Sequence, residues 1–72
     1  MAASIKVDLA SPPDRKRLVA QIMVGNEQWA ELNQEQRDLE LEFYTRSDGR
    51  PWVLSFDDAV GALNLARQRL IG

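Results

Sequence analysis

Cysteine and histidine are both missing from this 72-residue chain, and each absence removes a class of chemistry. Without cysteine there is no disulfide, and without either residue the common structural zinc sites lose their ligands. Without histidine there is no Ser-His-Asp or Cys-His constellation, and no side chain whose ordinary pKa lies near neutrality. No window approaches the roughly 18 uninterrupted apolar residues of a membrane-spanning helix. Met1-Ala2-Ala3-Ser4-Ile5-Lys6 lacks the apolar run of a signal peptide, and Ala2 stands where N-myristoylation needs glycine. The expectation is a cytoplasmic protein with no membrane anchor, no cofactor, no metal and no catalytic residue.

A chain of this length buries only about 60% of the surface its unfolded form exposes. It therefore reads as a single small domain over residues 1–72, and oligomerisation is the one common staple left open to it. Charge is uneven rather than extreme. Residues 1–25 carry a net +2, residues 26–42 a net −5 and the remainder +1, giving −2 overall. The basic footprint that dominates nucleic-acid backbone binding is absent.

Along the chain, Ser4-Ile5-Lys6-Val7-Asp8-Leu9 alternates polar and apolar residues as a half-buried strand does, although residues 1–10 also read as a disordered tail. Ser11-Pro12-Pro13-Asp14 then resembles a helix start. Leu18, Ile22, Gly25, Trp29 and Leu32 follow at i, i+4, i+7, i+11 and i+14, a helical stripe. The spacing predicts helix over residues 13–38, either as one helix or as two broken at Gly25-Asn26. Asn33 and Gln36 match a further capping pattern.

Leu39, Leu41 and Phe43 alternate with polar residues, Ser47-Asp48-Gly49-Arg50 supplies turn chemistry, and Trp52, Leu54 and Phe56 alternate again. An antiparallel hairpin at about 39–56 follows, with Phe43 facing Leu54 and Leu41 facing Phe56. A helix over residues 34–43 competes with it. Ser55, followed by Asp57 and Asp58, opens a last helix with Phe56, Val60, Leu63 and Leu70 as its inner line and Ala59, Ala62 and Ala66 beside it. The expected fold is α+β in the order β-α-β-β-α, its helices packed on one face of a small two- or three-stranded sheet.

Asp57-Asp58 is explained by capping, because adjacent helical residues point about 100° apart and do not converge on a metal. Trp29 lies on the apolar stripe and reads as core. Tyr44, on the opposite side of the expected hairpin from Trp52, is the aromatic that packing explains least. Tyr44, Arg46, Arg50 and Trp52 are therefore the candidate partner-binding residues, by stacking and cation–π contact. Glu27, Glu31 and Glu35, at i, i+4 spacing in the expected helix, form a candidate acidic face.

These features point to a non-enzymatic protein–protein interaction module, such as a small adaptor, inhibitor or regulatory subunit. An exposed sheet edge would also admit a second copy, giving a homodimer by strand addition. The alternative is a small nucleic-acid-binding regulator using the hairpin arginines together with Arg15, Lys16 and Arg17. That reading requires those basic groups to converge.

Overall fold

The N-terminal alternation becomes a strand. In the computed structural model, which describes residues 4–72, β1 spans Ile5–Ala10. The tail reading is set aside for those six residues, and the parts of the tail, leader and acylation readings that concern residues 1–3 lie outside the described residues. β2 (Val19–Val24), β3 (Glu27–Asn33) and β4 (Glu40–Phe43) follow, and α1 (Phe56–Ile71) closes the chain. The four strands form an antiparallel meander in the order β1-β2-β3-β4.

The α+β class holds, but the order β-α-β-β-α does not. Residues 13–38 contain no helix; they hold an extended loop and the β2–β3 hairpin. The physical reason lies in burial. β2 and β3 are the two central strands, and most of their residues are buried on one face or the other. Strands covered on both faces lose polar–apolar alternation, so Val19–Val24, apolar except at Gln21, also satisfies helical spacing. Gly25-Asn26 is the hairpin turn rather than a break between helices. Gly25 adopts φ +61° and Asn26 does not have positive φ, the arrangement of a type II′ loop, whose twist suits antiparallel strands.

The register places Val7 beside Ile22, Ile22 beside Ala30 and Ala30 beside Phe43. These residues, with Ile5, Leu9, Ala20, Leu32 and Leu41, therefore share one sheet face. Lys6, Asp8, Gln21, Glu31, Glu40 and Glu42 share the other. A bulge in β3 leaves Trp29 without an opposite on β2. Trp29 lies in the helix-side core with Val7, Ala20, Ile22, Val24, Ala30 and Leu32, as the core reading expected. Its ring meets that of Phe43 at 5.6 Å between centroids, a tilted aromatic pair.

The hairpin at 39–56 is the second correction. β4 exists, but it pairs with β3, and Trp52–Ser55 is not a strand. The expected partnerships of Phe43 with Leu54 and of Leu41 with Phe56 are absent: β4 pairs with β3 through its other edge, while Trp52 is tied by its indole N–H to the Tyr44 carbonyl and Phe56 already begins α1. The turn itself is present: Gly49 has φ +75° and donates its N–H to the Arg46 carbonyl at 3.0 Å.

α1 begins where its cap says it should. The Ser55 hydroxyl accepts from the Asp58 N–H at 3.4 Å, and Asp57 and Asp58 occupy the first turn. Its inner line differs from the expected one. Ala62 and Ala66 are buried, flanked by Ala59, Leu63 and Leu70, whereas Phe56 is 79% exposed. Small residues let the helix approach β1 and β2 closely, and Phe56, the first residue of α1, lies off the Ala62–Ala66 line. Among the described residues one helix, not several, covers the sheet.

Candidate functional site

Side chains on the two ends of the sheet are held by different polar clamps. At one end the β1–β2 loop folds across the helix-free face. The Glu35 carboxylate accepts the Lys16 N–H at 2.9 Å and the Arg17 N–H at 3.1 Å, and the Gln34 amide donates to the Leu18 carbonyl. Those backbone donors, that of Lys16 foremost, hold the Glu35 carboxyl below the usual carboxylate range. Arg15 from the same loop reaches Glu31 at 2.9 Å and Glu42 at 3.4 Å. Burial works against its charge, yet the Glu31 and Glu42 carboxylates together hold the guanidinium above its ordinary pKa.

At the other end, the segment after β4 turns back on itself. Ser47 N–H donates to Glu27 at 2.7 Å, which lowers the Glu27 carboxyl pKa. The Trp52 indole N–H donates to the Tyr44 carbonyl at 2.7 Å, and the Arg46 guanidinium lies 5.6 Å from the Trp52 ring centroid while pairing with Asp48 at 3.0 Å. Arg50 N–H also donates to Asp48. Arg46 and Trp52 thus lie together over the Tyr44 backbone, with Arg50 at the exposed tip. The Tyr44 side chain is on the sheet face of Glu42 and Glu31. Burial first, and then the Glu42 carboxylate, push its phenol up to about 12.

Glu27, Glu31 and Glu35 do not form one helical face. Glu27 and Glu31 stand on opposite faces of β3, Glu35 follows that strand, and each carboxylate has its own intramolecular partner. The basic groups do not converge either. Lys16 and Arg17 lie where β3 ends, and Arg46 lies where β3 begins. At about 3.3 Å per residue, the seven residues of β3 separate those ends by roughly 20 Å.

What the sequence reading missed is the outer edge of β4. Tyr44 N–H donates to the Trp29 carbonyl at 2.9 Å, so Trp29 and Tyr44 are a hydrogen-bonded antiparallel pair. By alternation Glu42 and Glu40 point their backbone groups inward to β3, and those of Leu41 and Phe43 point outward. Among the described residues none of these outward groups has a partner. All four residues of β4 are exposed, with Leu41 at 38% and Phe43 at 59% on the helix-side face. α1 lies over β1 and β2, which leaves these two side chains at the open rim. The signal in the sequence is the alternation of Leu39–Phe43, which marks a strand without saying which of its edges is paired.

Two open hollows of about 410 and 420 Å³ lie elsewhere, one between β1 and the start of α1 and one beside the end of α1. Among the described residues no three acidic side chains gather as a cation site, and no helix is long and apolar enough to cross a membrane. Comparison with protein families, with curated proteins and with solved structures gives no match.

Proposed function

We propose that the chain is a non-enzymatic protein-interaction module that works by presenting the β4 side of its sheet. The observation that carries this reading is the outer edge of β4, with outward backbone groups beside two exposed apolar side chains. Exposed apolar groups next to an unpaired sheet edge are what protein partners bury. The turn holding Arg46, Arg50 and Trp52 adjoins the same strand through Tyr44 and supplies the cation and aromatic groups enriched at interface anchors. The basic residues of the β1–β2 loop support the nucleic-acid alternative poorly, because Arg15 is neutralised by two glutamates and its neighbours lie at the far end from Arg46.

The test is affinity co-purification from an extract of the source cells at low salt, with and without nuclease. A stoichiometric protein that survives nuclease and is lost with Phe43→Asp is the expected result. Nucleic acid in the eluate, or proteins lost after nuclease, would overturn the reading in favour of the alternative. Capture unaffected by Phe43→Asp would move the surface away from β4.

A further inference from the structure

The geometry points to strand addition at β4 by an extended peptide segment that alternates basic and apolar residues. This inference rests on the interaction-module reading and names the partner's chemistry. An incoming strand would hydrogen-bond to the outward N–H and C=O groups of Leu41 and Phe43, continuing the sheet beyond its fourth strand. Its residues opposite Leu41 and Phe43 would project to the helix-side face, where both side chains are exposed. Apolar groups at those positions would bury them.

Its residues opposite Glu40 and Glu42 would project to the other face. These would be non-hydrogen-bonded pairs, in which side chains come closest. Both glutamates are exposed, within the segment 26–42 that carries the chain's main acidic excess. Lysine or arginine there gains a cross-strand ion pair with Glu40 and shares the Glu42 carboxylate with Arg15, which stands 3.4 Å from it, and acidic residues are repelled by Glu40.

The same two glutamates argue against a second copy as the occupant. Both antiparallel registers that pair Leu41 within β4 of another copy set glutamate against glutamate. One places Glu42 opposite Glu42, and the other places Glu40 opposite Glu42. A basic segment turns that repulsion into attraction, so charge selects the partner where the backbone alone would accept any strand.

The experiment uses the full chain and two short synthetic peptides, one alternating lysine with valine and one alternating glutamate with valine, read by amide hydrogen exchange and by titration calorimetry. The lysine peptide is expected to slow exchange at the Leu41 and Phe43 amides and to bind about tenfold more tightly than the glutamate peptide. Glu40→Lys should shrink that ratio without changing the melting temperature. Leu41→Pro removes an outward N–H, which an edge strand tolerates, and should abolish protection. Should Leu41→Pro fail to fold, Glu40→Lys still decides.

Unprotected Leu41 and Phe43 amides, equal affinity for the two peptides, or protection at Ile5 and Leu9 instead would overturn the proposal. So would protection that grows with protein concentration in the absence of peptide, which would identify a second copy, or displacement of protection by an oligonucleotide. A cellular partner whose capture survives Leu41→Pro would end strand addition but leave the interaction module standing. Peptide protection without any cellular partner would do the reverse.

Discussion

The Arg15 guanidinium stands 2.9 Å from the carboxylate of Glu31, a residue only 4% exposed near the middle of the helix-free face. The two groups are not aligned as a hydrogen bond, so the contact acts chiefly as an attraction between charges, and the Arg15 Nε is buried without a partner. Its role is to tie the β1–β2 loop to β3 and β4. Removing Arg15 strands a buried carboxylate, which typically costs about 2 kcal/mol. Arg15→Met should lower the urea midpoint accordingly, and adding Glu31→Gln should recover part of the loss. A double variant as unstable as the single one would show that the loop, not the charge, carries the effect.

Tyr44 is the chain's only tyrosine, so tyrosinate absorbance reports it alone. Its phenol should titrate near 12 in the folded protein and step down towards 10 on denaturation. The fold favours the neutral form, so its contribution to stability is present below pH 10 and lost as pH rises through about 12. Tyr44→Phe should remove that alkaline loss of stability, measured as the difference between the two proteins across the range.

For Glu35 the sign is opposite. Its folded carboxyl titrates below the ordinary value of 4.5, so it stabilises the fold above that value, and the contribution disappears as pH falls through the folded pKa. Wild type should exceed Glu35→Gln in stability at neutral pH, and the gap should close on acidification. A constant gap would mean that the Lys16 and Arg17 amides do not depend on the carboxylate charge.

The close approach of α1 to the sheet makes a further prediction. Ala66 is fully buried, and Ala66→Leu should destabilise by about 1–3 kcal/mol through overpacking. Val60, 40% exposed on the helix's outer flank, should accept Lys with a change within about 0.5 kcal/mol. Thermal melts of the two variants separate the real inner line from the one that spacing alone suggests.

The elements that could be read from the residues are those with one wet face or a polar punctuation mark. β1 alternates because its other face is exposed, α1 announces itself through Ser55 and the aspartates, and Asp48-Gly49 makes its turn. β2 and β3 were hidden because their neighbours bury them, and the bulge at Trp29 shifted the phase so that its position also fitted a helical stripe. Gly25-Asn26 between two β-rich runs was the one available clue to a hairpin. Assigning β3 to a helix left β4 without its partner. Without β3, alternation in Trp52–Phe56 reads as a strand, and the open edge of β4 has no counterpart in the sequence. The turn that brings Arg46 and Trp52 together is local in the sequence; the open edge is not, because being unpaired is a property of the whole sheet.

The other rim of the sheet is built differently. Gly25 N–H donates to the Ser4 carbonyl, which fixes the alternation so that the backbone groups of Ile5, Val7 and Leu9 point outward from β1. There Arg69 of α1 lays its guanidinium on the Val7 carbonyl at 2.6 Å. A sheet with both rims bare could join β4 of one molecule to β1 of the next, a head-to-tail contact with no natural end. With the Val7 carbonyl engaged by Arg69, β1 is the less open rim, and a head-to-tail chain would have to displace that bond at every link.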